Sequence, residues 1–226
     1  MATLNATKWG YMRSISSANF ATVRSSNGFT VANSPTNIAS SVAYFASSGR
    51  GSLTHSLRRA YFTFDVSSIT GTVSSLSLNF RTSTTGGVGF RVVKSTAFGG
   101  SNSNLATSEF ASIDTSTPYS NSIIGAASNP FSMTLNSDAE SDVQSNSYFI
   151  CAVIQNDNDY TATAATSAYN RDMQINWALT PYLDYVEAAA PSGPSNVASF
   201  LGVTKANIST INTISLGNIS ELNGIS

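Results

Sequence analysis

Leu76, Leu78 and Phe80 alternate with Ser75, Ser77 and Asn79. In an extended strand successive side chains point to opposite faces, so this spacing puts every apolar residue on one side. A helix would scatter them. The same period of two recurs along the chain. Phe62, Phe64 and Val66 share a side opposite Tyr61, Thr63 and Asp65, and Met173, Ile175, Trp177 and Leu179 share another. Strand candidates fall at 7–13, 20–24, 29–32, 38–45, 59–66, 73–81, 89–95, 131–135, 148–154, 173–179 and 182–187, with Gly, Ser and Asn turns between them. Short strands at this spacing, without helical periodicity, predict an all-β antiparallel fold, a jelly roll or β-sandwich. Each alternating strand is expected to turn one face to the core and one to solvent. Gly86-Gly87 suits a hairpin turn, because glycine tolerates positive φ. Residues 97–121 form a long Ser/Asn-rich connection, read as a surface loop or a crossover between sheets.

The polar positions are filled in an unusual way. Charged residues make up 10% of the 226 residues, against roughly 25% in ordinary soluble proteins. Ser, Thr, Asn and Gly stand in their place, which suits strands and tight turns better than long helices. Eleven basic residues face twelve acidic ones without a basic block. Binding to nucleic acid draws on clustered Lys and Arg that displace counterions, so no nucleic-acid partner is expected. No apolar run reaches a membrane-spanning length, so no membrane partner is expected either. The opening Met1-Ala2-Thr3-Leu4-Asn5 lacks the charged head and apolar stretch of a secretory signal. Cys151 is the one cysteine and lies in an apolar run, which predicts a buried, inert thiol and no disulfide.

Catalytic chemistry finds little to work with. His55 is the one histidine, read as a loop residue ahead of a strand, and no Gly-Xaa-Ser-Xaa-Gly elbow exposes a nucleophile. The catalytic set is therefore read as empty. No cofactor is expected. Asp138-Ala139-Glu140-Ser141-Asp142 and Asn156-Asp157-Asn158-Asp159 read as turns, with Ca2+ as the alternative. Trp9, Tyr11, Tyr119, Tyr160 and Tyr169 are the aromatic candidates for a carbohydrate platform, whereas Trp177 belongs to an apolar face and reads as core.

The end of the chain behaves differently. Ala188-Ala189-Ala190-Pro191-Ser192-Gly193-Pro194-Ser195 reads as a linker. The expected organisation is a β module over 1–188, a Pro/Gly/Ser linker over 189–197 and a repeat arm over 198–226. In the arm Asn207-Ile208-Ser209 returns as Asn218-Ile219-Ser220, Ile211-Asn212 returns as Leu222-Asn223, and Val203, Ile214 and Ile225 keep step. The period is 11 residues. On a helix these apolar positions would form one stripe, yet Ile, Thr, Ser, Asn and Gly are poor helix formers, so helical and extended arms both stay open. In either form two repeats cannot bury their apolar residues unaided. Val203, Ile208, Ile211, Ile214, Ile219, Leu222 and Ile225 are accordingly the expected partner-binding residues.

Two stretches carry a family resemblance. Arg58 to Phe80, "RRAYFTFDVSSITGTVSSLSLNF", and Thr180 to Ala188, "TPYLDYVEA", resemble the central strand pair and closing strand of DNRLRE-type β-jelly-roll modules. The arm is similar to the Asn-Ile-Xaa-Xaa-Ile-Asn-Gly-Val repeats that end many virion proteins of tailed phages. Its second copy keeps Asn223-Gly224-Ile225, and its first has Thr213 in place of Gly. The resemblance implies a non-enzymatic structural protein located in the virion, as a capsid decoration or as a head or tail fibre. Its partners would be other virion proteins and further copies of itself, with a trimer as the favoured assembly. The alternative is a carbohydrate-binding module that recognises a host glycan.

Overall fold

The computed structural model describes residues 1–49, 52–85, 87 and 89–188, and beyond them only the backbone of four two-residue strands. The first strands are β1 (Ala2–Asn5), β2 (Lys8–Ser14), β3 (Gly28–Asn33), β4 (Ile38–Ser48), β5 (Leu53–Asp65), β6 (Val73–Thr85) and β7 (Gly89–Ser95). The second set is β8 (Ile113–Pro118), β9 (Ile123–Ile124), β10 (Ser128–Thr134), β11 (Tyr148–Gln155), β12 (Tyr169–Asn176) and β13 (Tyr182–Glu187). Two helices interrupt them, α1 (Phe20–Ser25) and α2 (Ser137–Ser145).

All thirteen strands belong to one antiparallel sheet, ordered β1-β13-β6-β12-β4-β5-β11-β7-β8, with β10 on β6, β2 on β5, β3 on β2 and β9 on β7. The chain is thus an all-β antiparallel sandwich, as the alternation predicts. Two 13-residue strands fold the sheet over. One edge of β5 pairs first with β4 and then with β11, and its other edge pairs with β2. One edge of β6 pairs with β13 and β12, and its other edge with β10. The layers enclose a core of Phe62, Phe64, Leu76, Leu78, Phe80, Phe90, Phe149, Met173, Ile175 and Trp177. The three inward faces predicted from alternation all lie in it, apart from Leu179, which is half-buried beyond the end of β12.

The expected solvent face of β5 is a correction. Tyr61 and Thr63 are fully buried, because a second apolar cluster covers that side. It contains Met12, Tyr44, Leu57, Tyr61, Ala152 and Ile154 from the sheet, Phe20 and Val23 from α1, and Phe98, Leu105 and Phe110 from the 97–121 connection. The part of that connection ahead of β8, with its short 3-10 turns Phe98–Gly100 and Thr107–Glu109, is therefore a lid on the sheet, and β8 itself pairs with β7. β11 is buried on both faces, and its unbroken apolar run Tyr148 to Ile154 is what such a strand looks like in sequence.

Other expectations also change. The segment 20–24 is helix α1, capped by Asn19 accepting from the Thr22 N–H, and it packs Phe20 and Val23 inward. His55 lies inside β5, which begins at Leu53, and is 5% exposed. Gly87 does adopt φ 70, but β6 and β7 do not pair, so the turn carries the chain from one region of the sheet to another. At the end of β13 the Glu187 carboxylate accepts from the Thr70 and Gly71 N–H groups at 2.9 and 2.6 Å. Among the described residues no helix is long and apolar enough to cross a membrane.

Candidate functional site

The outer face of β5 shows why this layer holds together. The covering connection is irregular, and its buried carbonyl groups need donors. β5 supplies them. The Tyr61 hydroxyl and Arg59 Nη1 both donate to the Phe110 carbonyl, at 2.7 and 2.6 Å, and the Thr63 hydroxyl donates to the Ser101 carbonyl at 2.9 Å. Asn33 clamps Leu105 from β3, accepting from its N–H at 2.7 Å and donating to its carbonyl at 3.0 Å.

Arg59 is the centre of this network. Its Nε donates to Asp159 Oδ2 and its Nη2 to Asp159 Oδ1, each at 2.7 Å, and its guanidinium lies 4.2 Å from the Phe110 ring centre. Burial works against the Arg59 charge, but the Asp159 carboxylate outweighs it and holds the pKa above the usual arginine range. Burial pushes the Tyr61 hydroxyl up as well. Asp159 belongs to a π-helical turn, Asn156–Tyr160, whose Asn158 and Asp159 N–H groups donate to the Gln155 side chain. The Asn156–Asp159 stretch is thus a turn, as expected, but its last carboxylate anchors the lid from below. Every charged atom of the Arg59–Asp159 pair has a protein partner, and the arrangement holds the covering layer on β5.

The other chemistry-bearing side chains are similarly engaged. Tyr44 Oη lies 2.7 Å from His55 Nδ1 and accepts from the Ala165 N–H at 2.9 Å. The two groups share one hydrogen bond whose direction is set by the imidazole tautomer, because the hydroxyl can both donate and accept. Burial lowers the His55 pKa. Cys151 is fully buried in the inner core, and burial pushes its thiol up. The second acidic stretch forms α2 rather than a turn, with Asn136 as N-cap and Asp138 and Glu140 in the first turn, where the helix dipole favours them. Asp142 pairs with Lys94 at 2.6 Å and accepts from the Tyr119 hydroxyl. Among the described residues no group of three His, Cys, Asp or Glu side chains is placed to hold a metal ion.

The five candidate aromatics occupy several environments. Trp9 and Tyr11 on β2 are half-buried against the inner core, with Tyr11 stacked 6.3 Å from Trp177. Tyr119 is 1% exposed and stacks on Phe149, so it presents no free face. Tyr160 lies under Arg91, and Tyr169 packs against Tyr44. Trp177 is core, as its strand face predicts.

Sequence reasoning overlooked Arg58 and Arg59. An arginine doublet in so charge-poor a chain was the available signal, and alternation sends the two side chains to opposite faces of β5. Arg59 enters the covered layer, and Arg58 turns to the other side with Arg13 directly opposite it on β2.

In the arm the described backbone forms two hairpins. β14 (Ser199–Phe200) pairs with β15 (Val203–Thr204), and β16 (Thr210–Ile211) pairs with β17 (Ile214–Ser215). The registers are Phe200 opposite Val203 and Ile211 opposite Ile214, so the second hairpin repeats the first 11 residues on. Of the expected partner-binding residues, Val203, Ile211 and Ile214 are described by backbone alone, and Ile208, Ile219, Leu222 and Ile225 lie outside the described residues, as does the 189–197 linker. No protein-family model matches the chain, and no curated protein matches it.

Proposed function

We propose that this chain is a non-enzymatic structural protein of a tailed-phage virion, a β-sandwich module attached or oligomerised through its C-terminal arm. The observation that carries the proposal is the recurrence of one hairpin register at the period of the sequence repeat, at Phe200–Val203 and again at Ile211–Ile214. Leu222 and Ile225 hold the same positions in the next repeat. A two-stranded hairpin is marginal alone in water, and short repeats gain stability by stacking on neighbours. An arm of this kind has most to gain from other copies or from a groove on another virion protein. The commitment of His55, Cys151 and Asp159 to internal packing also favours a structural role. The virion setting rests on the likeness of the arm to the terminal repeats of tailed-phage proteins.

The test is the pair of changes Ile211→Asp and Leu222→Asp, which would place unpaired charges in an apolar contact. The particle mass in solution, and retention on virions, should fall while the module's β-type circular dichroism and melting persist. Unchanged mass and retention would refute the role of the arm.

A further inference from the structure

On the side of β5 away from the lid, the even-numbered residues Ala60, Phe62 and Phe64 belong to the inner core. The same alternation, continued past the end of the β11 pairing, brings up Arg58, Ser56 and Thr54. β4 adds Phe45 opposite Ser56 and Ser47 opposite Thr54, and β2 adds Arg13 opposite Arg58. With Ser16 these residues line a groove of about 210 Å³.

Two arginines directly opposite on paired strands repel each other. Neither is within ion-pair distance of a carboxylate among the described residues, and the Arg13 guanidinium has no hydrogen-bond partner there. Arg58 donates through Nη1 to the Ser40 carbonyl at 2.8 Å and lies 5.4 Å from the Phe45 ring centre. Its Nε is buried without a partner, and so is the Ser40 hydroxyl oxygen. Buried polar atoms are normally satisfied; these two are sealed from the groove, and what the groove itself presents is the uncompensated charge of the half-buried Arg13 and Arg58. Burial, and then the Arg13 charge, depress the Arg58 pKa, which an anion between them would relieve. The nearest acid on this face, Asp172, is two strands across, opposite Ala43.

We propose that this groove binds the carboxylate or sulfate of an acidic saccharide. The two guanidinium groups match a planar or tetrahedral oxyanion. Ser16, Ser47, Thr54 and Ser56 supply hydroxyl groups for a hydroxyl-rich ring, and the half-buried Phe45 offers it an apolar wall. Two cations in a short groove give no track for a nucleic-acid backbone.

The experiment uses the full chain with 3′-sialyllactose and trigalacturonate, against lactose, methyl-esterified trigalacturonate and sodium sulfate, by calorimetry and thermal shift. At least one acidic sugar should bind and raise the melting temperature, with its neutral counterpart about tenfold or more weaker, as expected for loss of a charge-assisted contact. Arg13→Gln should weaken binding by a similar factor while melting no lower than the wild type, since it relieves a repulsion. Arg58→Lys keeps the charge and loses the planar fork, and should also weaken binding. The proposal is overturned if neither acidic sugar binds at millimolar concentration, if Arg13→Gln binds them as well as the wild type, or if sulfate alone binds as tightly, which would mean an adventitious ion only.

Discussion

Arg59 and Asp159 face each other through two parallel hydrogen bonds of 2.7 Å in a layer where their side chains are 1% and 0% exposed. They lie 100 residues apart in sequence and join β5 to the turn that follows β11. Arg24 adds a second contact to the same carboxylate at 3.4 Å and ties in α1.

Removing Asp159 leaves the buried Arg59 charge without a counterion, and removing Arg59 leaves the buried Asp159 carboxylate with only its longer contact to Arg24. Arg59→Met or Asp159→Asn should each cost about 3–5 kcal/mol. The double change Arg59→Met with Asp159→Leu should recover part of that loss, because an apolar pair needs no counterion. Urea titrations of the three variants check this, and equal losses for single and double changes would argue against it.

Phe110 carries the lid: its ring stacks under Arg59, and its carbonyl receives both Arg59 and Tyr61. Phe110→Ala should destabilise by about 3–5 kcal/mol, in the range for emptying a buried aromatic site. Limited proteolysis should then cut within 97–121, where the wild type resists.

His55 gives the fold an acid-side limit. Its folded pKa lies below the unfolded value of about 6.5. The unfolded chain therefore takes up the proton first, and stability is lost as pH falls through that value towards the folded pKa. Above it the contribution is complete. His55→Asn, which offers Tyr44 an acceptor and does not titrate, should flatten the fall in melting temperature between about pH 7 and about pH 5.

Cys151 should behave as an inert reporter of global unfolding. Its thiol is fully buried, with its pKa raised by burial, and the thiolate is the reactive form. A thiol-specific disulfide reagent at neutral pH should leave the native protein unlabelled, and in rising urea the labelled fraction should follow the loss of β structure. Fast labelling without denaturant would contradict the two-sided burial of β11.

The residue pattern by itself determined the inner core. Leu76, Leu78 and Phe80, then Phe62 and Phe64, then Met173, Ile175 and Trp177 are assigned by alternation, because a strand's side-chain period is a local property of the backbone. The repeat of the arm was equally legible, since self-similarity needs no structure. Helix α1 was not: Phe20, Val23 and the Asn19 cap fit a short helix, but six residues are too few for periodicity to separate helix from strand. The role of Asp159 and the pairing of Arg13 with Arg58 depend on contacts across the chain, which no local pattern carries.

The fate of β5's second face was decided by tertiary structure alone. Tyr61 and Thr63 read as part of a solvent-facing stripe, and in isolation they and their face-mates Leu57 and Arg59 would be one. They are buried because the 97–121 connection docks on them, bringing Phe98, Leu105 and Phe110 and carbonyl groups that need donors. A polar side chain on a strand reports that it needs a hydrogen-bond partner, and only the folded chain determines whether that partner is water or the backbone of a distant segment.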